Sequence, residues 1–150
     1  MITTRKIDTV FIHCSASDKA KYDNVESIRS WHVNGNGWSD IGYHFVITKD
    51  GTIRLGRPLR KIPAAQRGHN RGSVAICVTG KEEFSDDQLT ELRHLCNRLQ
   101  TLHPVPLRFR GHCEVSRKLC PVFNYRSLVG LAESGYMHHR TLRAAMPWEK

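Results

Sequence analysis

His112 and Cys120 stand eight residues apart in "GHCEVSRKLCP", residues 111–121, and His13 ends the apolar run "KIDTVFIHCS" far upstream. Imidazole and thiolate together suit a borderline-soft cation such as zinc, whereas calcium and magnesium take oxygen donors. Three protein donors with one open position is the pattern of a catalytic zinc site. On its own, the 111–121 stretch admits three readings: a metal loop, a disulfide, or a simple turn. Five cysteines, an odd number with no evident framework, argue for reduced thiols and make the disulfide the poorest of the three. An imidazole buried at a strand end costs about 1–3 kcal/mol if it lacks a partner, so a satisfied core histidine is the ordinary alternative for His13. Spacing alone does not decide.

The elements that must bring these residues together can be read from hydrophobic period. Val10, Phe11 and Ile12 make a buried strand that ends near His13. In "YDNVESIRSWHV", Asp23 and Glu26 suggest a capped helix, with Val25, Ile28, Trp31 and His32 on one face, stopped by "NGNGW". "IGYHFVITKDGTIRLGR" predicts a hairpin turning at Lys49-Asp50-Gly51, and "SVAICVTG" a strand buried on both faces. In "FSDDQLTELRHLCNRLQTL", Ser85 and Gln88 form a capping box and Phe84 is placed to staple onto Leu89. Leu89, Leu92, Leu95, Cys96, Leu99 and Leu102 face the core. "VPLRFRGH" predicts a strand that delivers His112, and Asn124 caps a last helix, "YRSLVGLAE". The order of elements predicts an α/β fold: one mixed β-sheet flanked by helices, in a single domain over 1–150. Its core spans about 5–132, followed by a basic, mobile or loosely docked tail over 133–150.

The chain carries 23 Lys and Arg against 14 Asp and Glu, a net charge of +9, which draws it to polyanions: nucleic acid, anionic lipid or an anionic cell wall. No run of 18 apolar residues predicts membrane insertion, and the charged N-terminus reads as a strand rather than a signal peptide. Synthesis in the cytoplasm follows as the expectation. Among the other histidines, His94 reads as a surface residue and His103 as a loop residue. His138 and His139 are a tail pair without packed context.

The runs "FIHCSAS", "WHVNGNGWSDIGYHFVITKDGTIRLGRP" and "GHCEVSRKLCPVFN" resemble, in order, the zinc-dependent N-acetylmuramoyl-L-alanine amidases. The likeness is strongest to the amidase-type lysozymes of T-odd phages, which share their fold with peptidoglycan recognition proteins. It runs from about Ile7 to Leu131. The resemblance implies one zinc per chain, held by His13, His112 and Cys120, with Tyr43 and Lys118 as catalytic residues. It implies hydrolysis of the lactyl amide between N-acetylmuramic acid and L-alanine, as a phage or prophage endolysin that degrades the cell wall after release from the cytoplasm. Lys118 then adds positive charge against the developing oxyanion. Tyr43 donates a hydrogen bond to it or moves a proton toward the leaving amine; the two roles stay open.

Other residues take plainer readings. Cys14, Cys77 and Cys96 read as small buried hydrophobes. Cys113, next to His112 in a strand-like run, should point to the opposite face and is excluded as a ligand. Glu114 is either an orienting group near the site or a surface carboxylate. Where the family commonly carries a groove histidine, this chain has Ala65, with His69 nearby; Asn124 replaces a usual aspartate. Two alternatives stand beside the hydrolase. One is a non-catalytic muropeptide-binding module, disfavoured by the intact Cys120, Tyr43 and Lys118. The other is an added regulatory role on nucleic acid or a polymerase, suggested by charge. Peptidoglycan is the expected partner and a monomer the expected state.

Overall fold

β1 (Thr9–Cys14) lies one strand in from the edge of a five-stranded sheet with order β3-β2-β4-β1-β5. The computed structural model describes residues 3–138. The other strands are β2 (Phe45–Ile47), β3 (Ile53–Leu55), β4 (Ser73–Val78) and β5 (Arg108–Gly111). β1 pairs in parallel with β4 and β5, and β2 in parallel with β4; β3 closes the edge antiparallel to β2 through the expected hairpin. The sheet is mixed, as its sequence order predicted.

Alternation along β1 and β4 splits the sheet into two faces. Val10, Ile12, Val74, Ile76 and Val78 face α2 (Asp86–Leu102) and α3 (Tyr125–Val129) in the main core. Val46 and Cys77 point the other way and pack with Val25 and Ile28 of α1 (Val25–Ser30), Ile41 and Tyr43. β4 is buried over all six residues, which is why its sequence runs apolar without alternating.

α2 begins with the expected reciprocal box: Ser85 Oγ accepts from Gln88 N at 3.0 Å, and Gln88 Oε1 from Ser85 N at 3.0 Å. Leu92, Leu95, Cys96 and Leu99 are buried, but Leu89 is only half-buried and Leu102 is 60% exposed. Leu102 lies on the last turn, where α2 has run past the sheet. Phe84 packs edge-to-face on Phe123, with ring centroids 4.9 Å apart.

Three expectations about the other helices shift. The cap of α1 is Asn24, whose Oδ1 accepts from Ser27 N at 2.7 Å. Asp23 instead ties two loops together, accepting from Lys49 N and Thr79 Oγ1. Trp31 leaves the apolar face: α1 widens into a π-turn over Trp31–Gly35, leaving the indole 51% exposed while His32 stays buried. α3 is shorter than its sequence suggested, because Gly130 adopts φ 75° and ends it. The folded region also passes residue 132: Met137 is buried in the main core, and Tyr136 bridges to Arg108. His139 and the rest of the tail lie outside the described residues.

The leucines of α2 give a direct check. Leu92→Ala should lower unfolding stability by about 2–5 kcal/mol, whereas Leu102→Ala should change it by less than about 0.5 kcal/mol, measured by urea denaturation.

Candidate metal centre

Parallel register brings the two histidines together. Ile12 pairs with Gly111, so His13 and His112 are the next residues out at the carboxyl ends of adjacent strands. Their ring centroids lie 4.5 Å apart. Sites of open α/β sheets occur at this end of the strands. Cys120 returns to the same place because Cys113 N donates to Cys120 O at 2.7 Å and Cys14 N donates to Cys120 Sγ at 2.9 Å. The ligand atoms of His13, His112 and Cys120 all lie within 4.8 Å of one another.

The segment after β5 is a 3₁₀ turn over His112–Glu114, not a strand. Cys113 is exposed and stands outside the cluster, but through that turn rather than through strand alternation. Glu114 holds the turn: its carboxylate accepts from Gly111 N at 2.9 Å and from the Tyr125 hydroxyl, and pairs with Arg110. It is therefore an orienting group for His112. Tyr125 presses against Gly111 so closely that an added Cβ would meet its ring at 2.6 Å.

The protonation states suit a cation. Burial, then the charge of His112, lowers His13 to about 3, so its ring is neutral. Burial and Lys118 lower His112. Hydrogen bonding to Cys14 pushes the Cys120 thiol up in the metal-free chain, while the same contact brings Cys14 down to about 7. A coordinated thiol is deprotonated outright, so a bound cation would hold Cys120 as its thiolate. Cys14 itself is buried, as its reading as a small hydrophobe expected. Two neutral imidazoles and one thiolate within reach of a single point fit zinc, and among the described residues the cluster holds no carboxylate for a harder cation.

Tyr43 and Lys118 border this cluster. The Tyr43 ring stands 5.3 Å from that of His13 and 5.4 Å from that of His32. Burial raises its pKa well above the usual range, so its hydroxyl keeps its proton as a donor. His32 is positioned by Gly42 N, which donates to its Nδ1 at 2.9 Å, and it stacks between Tyr43 and Trp38. Lys118 is exposed on the return loop, and its positive charge acts on both His13 and His112. Ala65 and His69 lie on the neighbouring loop; His69 is exposed with its ring 6.4 Å from Phe11, and Ala65 N donates to Asn70 Oδ1. Sequence reasoning missed Gln66, fully buried on that loop, whose Oε1 lies 2.8 Å from His13 Nε2. A lone glutamine in a loop gives no periodic signal that would reveal it.

A His-His-Cys cluster at the carboxyl end of a mixed sheet, overlooked by a tyrosine and a lysine, defines a class of candidate metallohydrolase. Residues 3–123 match the family model described as N-acetylmuramoyl-L-alanine amidase. The endolysin of Escherichia phage T7 is 34% identical over 127 residues, covering 79% of this chain and 83% of that protein. The amidase LysC from Clostridium intestinale URNW has a similar structure, with TM-score 0.73 and 27% identity over 83% of each chain. The Drosophila protein PGRP-LB is similar at TM-score 0.69 and 27% identity, covering 79% of this chain and 76% of that one. The chain belongs to the N-acetylmuramoyl-L-alanine amidase family.

Two tests follow from this geometry. Gly111→Ala should displace Tyr125, loosen the Glu114 turn and lower metal affinity by about 10–100-fold in chelator competition. Acid should also weaken the metal-free fold. His44 is buried, with Nδ1 accepting from Ala75 N and Nε2 donating to Lys61 O, and burial lowers it to about 4. Unfolding frees His44 and His13 to bind protons near pH 6.5, so stability should be full above that pH and fall as pH drops toward about 4. Denaturation midpoints across that window check the slope.

Proposed function

We propose that His13, His112 and Cys120 hold one zinc ion, with Tyr43 and Lys118 completing the catalytic site of a single domain. As a member of its family, the chain is an amidase that hydrolyses the bond between N-acetylmuramic acid and L-alanine in peptidoglycan, and it acts as a phage endolysin. The observation that carries the site reading is the convergence of three donor atoms from distant parts of the chain within 4.8 Å. When bound, zinc supplies a Lewis acid that polarises the amide carbonyl and brings water's ionisation toward neutral pH.

The chain's own residues do the rest. His13 and His112 enter the site neutral and need shed no proton to act as donors. The Tyr43 hydroxyl keeps its proton and donates it as a hydrogen bond to the carbonyl oxygen as negative charge develops there. The Lys118 Nζ ammonium adds positive charge from the open side of the site, where the substrate enters. A proton must reach the leaving L-alanine nitrogen, and Tyr43 Oη and Lys118 Nζ are the two groups to which we assign its delivery. The net charge of +9 favours approach to an anionic wall. No helix among the described residues is long and apolar enough to cross a membrane. A monomer that reaches the wall from the cytoplasm is the form in which we expect it to act.

Metal analysis of the purified chain should find about one zinc. Digested sacculi should gain free L-alanine amino groups and no new reducing sugar ends. Cys120→Ser should cut turnover by more than about 100-fold with loss of zinc, while Cys113→Ser should keep most of both. Equal losses in the two variants would reject Cys120 as the ligand.

A further inference from the structure

We infer that Gln66 is a positioning residue that fixes which ring nitrogen of His13 is offered to the cation, an inference that rests on His13 being a zinc ligand. Gln66 has no exposed surface, and His13 only 1%. Its amide is held at both ends. Gln66 Oε1 lies 2.8 Å from His13 Nε2, and Gln66 Nε2 donates to Ser73 Oγ at 2.6 Å and to His69 O at 3.3 Å. Ser73 Oγ in turn donates to Asn70 O at 2.8 Å.

The polarity of this chain has one solution. The carbonyls of His69 and Asn70 can only accept. Asn70 O takes the Ser73 hydroxyl proton, so Ser73 Oγ is left to accept. His69 O likewise requires a donor, so the amide nitrogen of Gln66 must face that side. Its oxygen then faces His13, and Nε2 of His13 must carry the proton. Nδ1 is left bare, with its lone pair free for a metal. A reversed amide would set oxygen against the His69 carbonyl, and at His13 Nε2 it would oppose two N–H groups or force the tautomer over. Asn70 fixes the loop itself, because its Oδ1 accepts from both Ala65 N and Gln66 N. Ligand histidines are commonly oriented by a carboxylate or a backbone carbonyl. Here a neutral side-chain amide does it, at no cost in buried charge.

Nitrogen-15-labelled full-length chain, with and without zinc, gives the test. Long-range proton–nitrogen correlation spectra should place the His13 proton on Nε2 in both states. Gln66→Leu removes the acceptor at similar volume; without zinc it should lose the persistent Nε2–H signal, and it should bind zinc about 10–100-fold more weakly in chelator competition. Gln66→Glu restores an oxygen at the same place and should restore the Nε2 proton. A proton on Nδ1 in the wild type, an unchanged Nε2–H in zinc-free Gln66→Leu, or unchanged zinc affinity there would overturn the inference. So would a Gln66→Glu variant that behaves like Gln66→Leu, the result expected of a mere packing role. Should Gln66→Leu not fold, the wild-type spectrum still decides where the proton sits. A wild-type chain that binds no zinc rejects the metal reading instead, and the metal-free spectrum then judges the tautomer separately.

Discussion

The pairing of β1 with β5 is the constraint on which everything else depends. Parallel strands in register carry equivalent residues at equal height, so Ile12 opposite Gly111 sets His13 beside His112. No local motif achieves this; residues far apart in sequence meet because α2 carries the chain from β4 across β1 to its other edge. The right-handed crossover typical of parallel strands makes that placement ordinary rather than strained. What the site adds is small: a 3₁₀ turn, one carboxylate on a backbone N–H, and a loop that returns a sulfur to the strand end.

Two supports act on different sides of the candidate metal centre. On the His112 side, Glu114 clasps Gly111, Tyr125 and Arg110 and so couples the turn to α3 and the main core. On the His13 side, the 64–73 loop delivers a buried amide against the imidazole. The first support is ionic and half-exposed; the second is neutral and closed to water. Tyr43 is held by a third route, through His32 and the backbone of Gly42. Two donors thus stand at or just past strand ends and the third on a loop, and their orientations come from loops.

Much of this was legible beforehand, and the reasons are local. The Ser85–Gln88 box, the hairpin and the alternating or continuous apolar strands are short-range signals, and they produced the elements as read. The donor trio came from the resemblance, since spacing left His13 open between ligand and core residue; the structure brings the three together. What escaped depends on tertiary context. Asp23 and Asn24 are both good caps, and only the position of the Lys49 and Thr79 loops assigns Asp23 elsewhere. Leu102 keeps the helical period but outruns the surface it would cover. Trp31 turns outward because a π-turn breaks the 3.6-residue repeat at that point. Gln66 has no pattern at all, because its partner lies on a strand distant in sequence.

The topology also governs when these three side chains can meet. The donors sit at positions 13, 112 and 120, and β1 finds its β5 neighbour only after most of the polypeptide exists. A growing chain on the ribosome carries the first histidine early and nothing to share it with. Contacts of such long range also form late in folding. The three side chains therefore cannot meet in a fragment that stops short of β5 and its return loop, and they come together only with completion of the sheet.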